Sequence, residues 1–306
     1  MEYKKVIDDL QQLNLGTILE NEPLYKHTTY KVGGPCRIFI KVFNVECLKQ
    51  LLHYIARHHI PFMVIGKGSN LLFSDREYRG IIISLNDHFT DIRVNGEYMI
   101  AQAGVSLIKL SNDACKYALS GLEFCGGIPG SIGGAIFMNA GAYLSEMSRV
   151  VEEVTILDEH YEVRVLSNAE MAFSYRRSIL QSHPKWIVLE VKLHLKSADR
   201  SKIRQLMDHR KEKRMATQPW NLPSAGSVFR NPEKIPAWQC IDECGLRGYE
   251  IGGAQISPKH SNFIVNNGYA SARDILDLIE LARTRVYERF GIRLHTEVRL
   301  VNWQDD

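Results

Sequence analysis

The sequence predicts an α+β protein of two or three domains, and three observations carry that expectation. The chain has 306 residues, more than one ordinary hydrophobic core organises. Its first third alternates between helical and strand periodicity. Its middle turns strand-rich, with Ile187, Leu189, Val191, Leu193 and Leu195 alternating as one buried face of a strand does.

Taken in order, Val45, Leu48, Leu51, Leu52 and Ile55 recur at helical spacing, and Pro61 closes that helix. Phe62–Ile65 is expected as a short buried strand, with further strands at Ile81–Leu85 and Tyr98–Ala103. Leu107, Leu110, Ala114 and Ala118 return to helical period behind Ser106, a good N-cap residue. Val154–Leu157 and Glu162–Leu166 pair as a hairpin. Asp199 opens a charged helix that turns Ile203, Leu206 and Met207 inward and ends before Pro219. A polar, proline-bearing stretch from Gln218 to Pro236 follows, and a domain boundary is expected near residue 200. Beyond it come a short helix from Pro236 to Cys244 and a longer one opened by Ser271-x-x-Asp274. Gly291 stands where a C-cap glycine belongs, and Ile292–Val301 is expected as a closing strand.

Composition bounds the function. Hydrophobic residues make up 45% and charged residues 24%, the balance of a globular protein rather than a disordered one. The net charge of +3, from 38 basic and 35 acidic side chains, is too small and too dispersed for a duplex nucleic-acid partner. It suits a pocket for an anionic small molecule. No run approaches the roughly 18–20 apolar residues that span a bilayer, and MEYKKVIDDLQQL has charges where a signal peptide needs its apolar core. A cytoplasmic protein with no membrane partner is therefore expected. Six cysteines without a Cys-x-x-Cys read as reduced, mostly buried thiols, and no metal site is expected.

Two glycine-rich loops stand out. Gly66-Lys67-Gly68-Ser69-Asn70-Leu71-Leu72 follows a strand, where bare backbone N–H groups and the Ser69 and Asn70 side chains can meet phosphate oxygens. Leu71 occupies the place of a third glycine, so this is not the dinucleotide fingerprint, and the position of Lys67 rules out a P-loop. An ordinary turn explains this loop equally well. Gly126-Gly127-Ile128-Pro129-Gly130-Ser131-Ile132-Gly133-Gly134 holds five glycines in nine residues. That entropic cost implies special dihedrals, a ligand pressed against backbone, or a sharp crossover. The pair of loops suggests a ligand with two phosphates.

Three residues are candidates for chemistry. Arg176 lies in Tyr175-Arg176-Arg177-Ser178, after a helical start signalled by Ser167-x-x-Glu170. Its planar fork suits a carboxylate, while adjacent arginines cannot both face one way, so a surface ion pair remains the alternative. Ser227 sits in Pro223-Ser224-Ala225-Gly226-Ser227-Val228-Phe229-Arg230-Asn231-Pro232, as a proton donor or a turn-capping hydroxyl. Glu297 falls in the closing strand, on the face with Arg293, His295 and Arg299. A solvated polar face accounts for that pattern as well as an acid does.

The strings TTYKVGG, GKGSNLL, GGIPGSIGGA, MNAGAY, SYRRS, PSAGSVFRNP, GGAQIS, HSNFIVN and HTEVRL occur in an order that resembles the UDP-N-acetylenolpyruvoylglucosamine reductases, across roughly residues 25 to 301. The resemblance implies a two-part FAD-binding unit of the vanillyl-alcohol-oxidase type at 1–85 and 86–200, and a smaller α+β substrate-binding domain at 201–306. It implies noncovalent FAD at Gly66, Lys67, Gly68, Ser69, Asn70 and Leu71 and at Gly127, Ile128, Pro129, Gly130, Ser131, Gly133 and Gly134. NADPH is the implied reductant, a nucleotide sugar carrying an enolpyruvyl group the substrate, and cell-wall precursor synthesis the setting.

By the same resemblance Ser227 matches the proton donor, and Arg176 and Glu297 match the groups that polarise the substrate carboxylate. A carboxyl beside a carboxylate ionises reluctantly, so Glu297 is expected to act protonated. Tyr175, Asn231 and Gln255 match substrate contacts, and Lys259, His260 and Asn262 lie in a matching segment. Thr217 stands where many members have lysine, with Lys213 and Arg214 nearby. The chain resembles the shorter branch, which lacks a tyrosine-bearing insertion. Another FAD oxidoreductase of the same fold would not need PSAGSVFRNP or HTEVRL, and a non-catalytic nucleotide-sugar binder would not need Ser227 or Glu297.

Overall fold

A computed structural model describes residues 3–303. The chain forms two compact units. One gathers the residues up to Glu20, Ile38–Lys67 and Gly80–Glu212; the other gathers Asn21–Arg37, Gly68–Arg79 and the chain from Lys213 onward.

The first unit carries helices α1 (Tyr3–Leu13), α2 (Val45–Arg57), α3 (Leu107–Lys116) and α4 (Ile132–Met138). Asn44 caps α2 by accepting from the Cys47 N–H, and Leu48, Leu51, Leu52 and Ile55 are buried along one side, as their spacing predicts. A four-stranded sheet runs in the order Gly16–Pro23, Pro35–Val42, Tyr78–Ser84, Phe62–Ile65. The division between the units falls inside the first three of these strands. Phe62–Ile65 has the bounds the sequence predicts.

A five-stranded antiparallel sheet follows the order Val163–Ser167, Val151–Leu157, Ile187–His194, Tyr98–Gln102, Ile92–Asn95. The predicted hairpin is its first pair. Ile187, Leu189, Val191 and Leu193 enter the core together with α2, α3 and α4.

Helix α5 (Arg200–Thr217) starts where Asp199 predicts, with Asp199 accepting from the Ser201 and Lys202 N–H groups. One predicted inward residue points outward. Ile203 and Met207, one turn apart, pack with Cys115, whereas Leu206 is 40% exposed. The buried stripe is only that wide, because the remainder of the helix is charged and solvated.

The second unit is built on α6 (Ala237–Glu243) and α7 (Ala272–Phe290). Helix α7 has the predicted capping box: Ser271 accepts from the Asp274 N–H, Asp274 accepts from the Ser271 N–H, and Gly291 closes the helix in the left-handed region. Asp75 adds a second carboxylate at this terminus, accepting from the Ala272 and Arg273 N–H groups at 2.9 and 3.0 Å. Ile275, Leu278, Ile279, Ala282 and Val286 pack with Ala254, Ile256 and Ile264 of an antiparallel sheet ordered Glu250–Ile251, Ala254–Ile256, Ile264–Asn266. Tyr30, Val32 and Leu72 complete this core.

The closing strand is shorter than predicted. Arg299–Val301 forms the strand, paired in parallel with Leu71–Phe73, and Thr296 makes only an isolated bridge. Upstream the chain bends at Glu297 and Val298, whose N–H groups both turn onto the Val228 carbonyl. Among the described residues no helix is long and apolar enough to cross a membrane, all six cysteines are free thiols, and no cluster of metal-ligating side chains is found.

Candidate functional site

Glycine is required in both predicted loops for identifiable reasons. A Cβ on Gly66 would sit 2.3 Å from Ser131 Oγ, so the first loop begins in contact with the second. Asn86 fixes it there, donating from Nδ2 to the Gly66 carbonyl at 2.9 Å. At Gly68 the backbone is left-handed, with φ +61°, and a Cβ would meet the His27 carbonyl oxygen at 2.0 Å.

The second loop is stitched to Ala103–Leu107. Gly133 donates to Ala103 O, Ile132 to Val105 O and Leu107 to Gly130 O, all within 3.0 Å. Ser131 then caps α4, accepting from the Gly134 N–H at 3.4 Å. Lys67, Pro129 and Gly134 are exposed, Gly66, Ser69, Asn70, Gly127, Ile128 and Gly133 half-buried, and Leu71, Gly130 and Ser131 buried.

The loops fit a dinucleotide on two further counts. In the first unit, the buried Asn86 Oδ1 beside Gly66 has no hydrogen-bond partner among the described residues. In the second, the same holds for the buried Thr29 Oγ1, whose backbone N–H donates to the Gly68 carbonyl. Buried polar atoms are normally satisfied. An acceptor and a hydroxyl beside bare glycine backbone match the hydroxyls and phosphate oxygens of such a ligand.

Arg176 belongs to the first unit. Ser174 and Arg177 exchange both backbone hydrogen bonds at 3.0 Å, leaving Tyr175 and Arg176 as a two-residue turn. Arg176 takes φ +56°, which costs a non-glycine residue on the order of 1–2 kcal/mol. The surroundings enforce it. Gln181 Nε2 donates to the Arg176 carbonyl at 3.0 Å, and Asn139, fully buried and itself left-handed, donates to the Ser174 carbonyl at 3.0 Å. The guanidinium lies 5.0 Å from the Tyr175 ring centroid and donates to the Gly141 carbonyl at 3.0 Å.

Arg176 is half-buried and Arg177 exposed, the divergence expected of adjacent arginines. The helix predicted upstream is absent. Ser167 and Glu170 form both capping bonds, but the chain turns at Ala172, with φ +46°, and no apolar stripe follows to hold a helix on the core.

Ser227 and Glu297 belong to the second unit, and backbone bonds bring them together. Gly226, at φ +76°, turns the chain into Ser227. The Glu297 N–H donates to the Val228 carbonyl at 2.7 Å, Arg230 N–H to the His295 carbonyl at 2.9 Å, and Phe229 bridges Thr296. Asn70, expected to present its amide to phosphate, donates from Nδ2 to the Glu297 carbonyl at 3.0 Å. Its own carbonyl accepts from Arg299 N–H. Asn70 of the first glycine loop is thereby tied to the backbone of Glu297 and Arg299.

The remaining predicted contacts are dispersed in this unit. Asn231 Oδ1 accepts from the Ala237 N–H at the start of α6, and Gln255 Nε2 donates to the Gly248 carbonyl at 3.3 Å. Lys259 Nζ donates to the Met215 carbonyl, and Thr217 Oγ1 to the Lys213 carbonyl. Burial holds the His260 imidazole below its ordinary pKa, reinforced by Arg247 and partly offset by its backbone hydrogen bond and Asp242. Arg247 in turn pairs with Asp242 and donates to the Pro258 carbonyl at 2.7 Å.

Sequence reasoning gives no role to Asn86, Asn139 or Gln181, and places Asn262 only in a segment that matches the family. The signal they offer is a lone amide side chain in an apolar stretch, which must find backbone partners when buried.

Two family models match the chain: an FAD binding domain over residues 36–167, and the C-terminal domain of UDP-N-acetylenolpyruvoylglucosamine reductase over residues 218–301. UDP-N-acetylenolpyruvoylglucosamine reductase of Anoxybacillus flavithermus is 44% identical over 97% of this chain and 99% of its own length. The Bacillus subtilis protein of the same name is 43% identical over 97% of this chain and 98% of its own. The crystal structure of the Thermus caldophilus reductase superposes with a TM-score of 0.79 at 35% identity, covering 93% of this chain and 98% of that one. A chitooligosaccharide oxidase shares the fold alone, with a TM-score of 0.50 at 14% identity over 63% of this chain and 43% of its own.

Proposed function

The chain belongs to the UDP-N-acetylenolpyruvoylglucosamine reductase family, and from that membership we infer that it reduces the enolpyruvyl group of UDP-N-acetylglucosamine-enolpyruvate to give UDP-N-acetylmuramate for peptidoglycan synthesis. The observation that carries this reading is the presence in one chain of an FAD binding domain at 36–167 and the reductase's own C-terminal domain at 218–301. The reaction is cytoplasmic, uses NADPH as reductant, and takes small molecules rather than nucleic acid or membrane as partners.

The backbone of Gly66–Leu71 and of Gly127–Gly134 would hold FAD, with Asn86 Oδ1 and Thr29 Oγ1, which have no hydrogen-bond partner among the described residues, as polar neighbours. Bound there, FAD would supply hydride chemistry for reduction of the vinyl terminus, with NADPH as the source of reducing equivalents. The chain's own residues handle charge and proton. Reduction at the vinyl terminus builds negative charge on the carbon bearing the carboxylate and on the carboxylate itself. Arg176, held half-buried in a strained turn, offers a planar cation to that carboxylate. Glu297, protonated, donates a hydrogen bond to the same charge. Ser227 Oγ–H gives its proton to the carbon. Tyr175, Asn231 and Gln255 contact the nucleotide sugar. Residues 1–85 and 86–200 serve the cofactor and 201–306 the substrate, with Tyr175 and Arg176 as substrate contacts from outside 201–306.

The test separates the two halves of the reaction. The purified protein is expected to be yellow, its flavin absorbance bleaching under NADPH without oxygen and returning when the enolpyruvyl nucleotide is added. For Ser227→Ala, bleaching is retained and the return slows by about 10²–10³-fold. Equal loss in both halves would make Ser227 structural, and a colourless folded protein would overturn the whole reading. Glu297→Gln keeps a hydrogen-bond donor, yet near-full activity across pH would rule out a proton-bearing Glu297.

A further inference from the structure

The loop that carries Ser227 is irregular, and the only backbone pairing along it among the described residues is the isolated antiparallel bridge of Phe229 to Thr296. Val228 and Phe229 are nevertheless 1% and 2% exposed, so their backbone polar groups require partners inside the protein. All four have one. The Val228 carbonyl accepts from the Glu297 N–H at 2.7 Å. The other three groups go to a single residue. Asn262, 3% exposed, accepts the Val228 N–H on its carbonyl at 2.8 Å and the Phe229 N–H on Oδ1 at 3.0 Å, and donates from Nδ2 to the Phe229 carbonyl at 2.8 Å.

The amide of Asn262 thus pairs with Phe229 as a second strand would, in both directions, two residues after Ser227. The dipeptide behind Ser227 is pinned on one side by Asn262 and on the other by the backbone of Glu297. We propose that Asn262 is a positioning residue for the reduction: by fixing Val228 and Phe229 it sets Ser227 in register with Glu297. This rests on the reading of Ser227 as proton donor. The Oδ1 and Nδ2 of Asn262 supply an acceptor and a donor side by side in the spacing of a peptide group, without the charge of an ionised carboxylate. A serine positioned this way keeps its donor aligned, and misplacement by about 1 Å costs such a step on the order of 10²-fold.

Asn262→Asp, assayed at a pH where the carboxyl is ionised, tests this with nearly unchanged shape, since it turns the donor facing the Phe229 carbonyl into an acceptor. Asn262→Ser, which withdraws the reach without adding charge, serves if the aspartate variant does not fold. Flavin content and circular dichroism establish that the variants are folded. Each half-reaction is then followed by stopped-flow flavin absorbance. The expected result is bleaching by NADPH within twofold of the parent and a return driven by substrate that is about 10²-fold slower, with little change in the substrate concentration giving half-maximal rate.

Asn262→Asp introduced into Ser227→Ala is expected to add no further slowing, because both changes remove one event. Equal slowing of both half-reactions, or slowing that multiplies with that of Ser227→Ala, would make Asn262 merely structural and overturn the proposal. A full-speed Asn262→Asp beside a collapsed Ser227→Ala overturns it while leaving the Ser227 reading intact. A full-speed Ser227→Ala removes the Ser227 reading, and the proposal with it.

Discussion

The contact between the two glycine loops makes a quantitative double-substitution test. Gly66 lies outside the left-handed region, so alanine there meets no backbone strain. Its added Cβ, however, falls 2.3 Å from Ser131 Oγ, and Ser131 must rotate away. Rotation gives up the cap that Ser131 provides to α4 through the Gly134 N–H, a loss of about 1 kcal/mol. Crowding of the displaced hydroxyl adds about 0.5–1.5 kcal/mol, so Gly66→Ala is expected to cost about 2 kcal/mol. Ser131→Ala removes the cap alone, at about 1 kcal/mol.

In the double variant the offending oxygen is gone and the nearest remaining atom, the residue-131 Cβ, stands at 3.5 Å, an ordinary contact. The pair is therefore expected to cost about 1 kcal/mol, less than Gly66→Ala alone, with a coupling of about 2 kcal/mol between the sites. Thermal unfolding of the FAD-free protein measures it, at roughly 2–4 °C per kcal/mol for a unit of this size. A double variant that melts below both single variants would refute the contact between the loops.

Three further outcomes follow from other parts of the molecule. Burial opposes the charge of Asp274, but hydrogen bonds from the Ser271 and Gly253 N–H groups and from the Ser271 hydroxyl outweigh it and hold the carboxyl below its usual range. Its stabilising contribution is thus fully present above the unfolded-state value of about 3.9 and lost as pH falls through the lower folded-state value. Asp274→Asn should flatten the acid limb of a pH–stability curve, and an unchanged limb would contradict the assignment. Leu206→Glu should stay within about 0.5 kcal/mol of the parent in denaturant unfolding, while Met207→Glu, which buries a charge against Cys115, should cost several times that. Equal costs would restore Leu206 to the core. Arg176→Lys keeps the charge but loses the planar fork, so substrate-driven flavin return should slow by at least about 10-fold while NADPH bleaching persists; a fully active lysine variant would reduce Arg176 to a point charge.

Much of the fold was legible because local and tertiary signals agreed. Ser271 and Asp274 announce α7, and the five apolar residues behind them hold it on a core. Ser167 and Glu170 present the same signature and form the same bonds, yet no helix follows. A cap satisfies a helix end but does not pay for the helix, which needs a buried face. Leu206 failed for the converse reason: its spacing fits a helix, and nothing in the sequence says how wide the covered stripe is. The glycine loops could be argued from backbone physics to a phosphate-bearing ligand. The positions of Arg176, Ser227 and Glu297 could not, because their supports are remote in sequence. Asn262 grips Phe229 from 33 residues away, and Asn70 reaches Glu297 across 227. Only ordered family motifs bring such partners into view before the structure does.

The second unit is assembled from three stretches of chain, the last beginning at Lys213, and this constrains how the protein is made. On the ribosome, Tyr30, Val32 and Leu72 emerge early, but the α6 and α7 residues they pack with belong to the final third of the message. At about 5–20 residues per second, these apolar side chains wait roughly 10 to 50 seconds for their partners, and the first unit is complete in sequence at Glu212 before those partners appear. The nascent polypeptide therefore passes through a stage in which one core is translated in full and the other is an exposed fragment. Chaperone demand should peak in that interval. A fragment cut at residue 212 would be arrested there, and the matched C-terminal domain expressed alone would lack its Leu71–Phe73 strand partner.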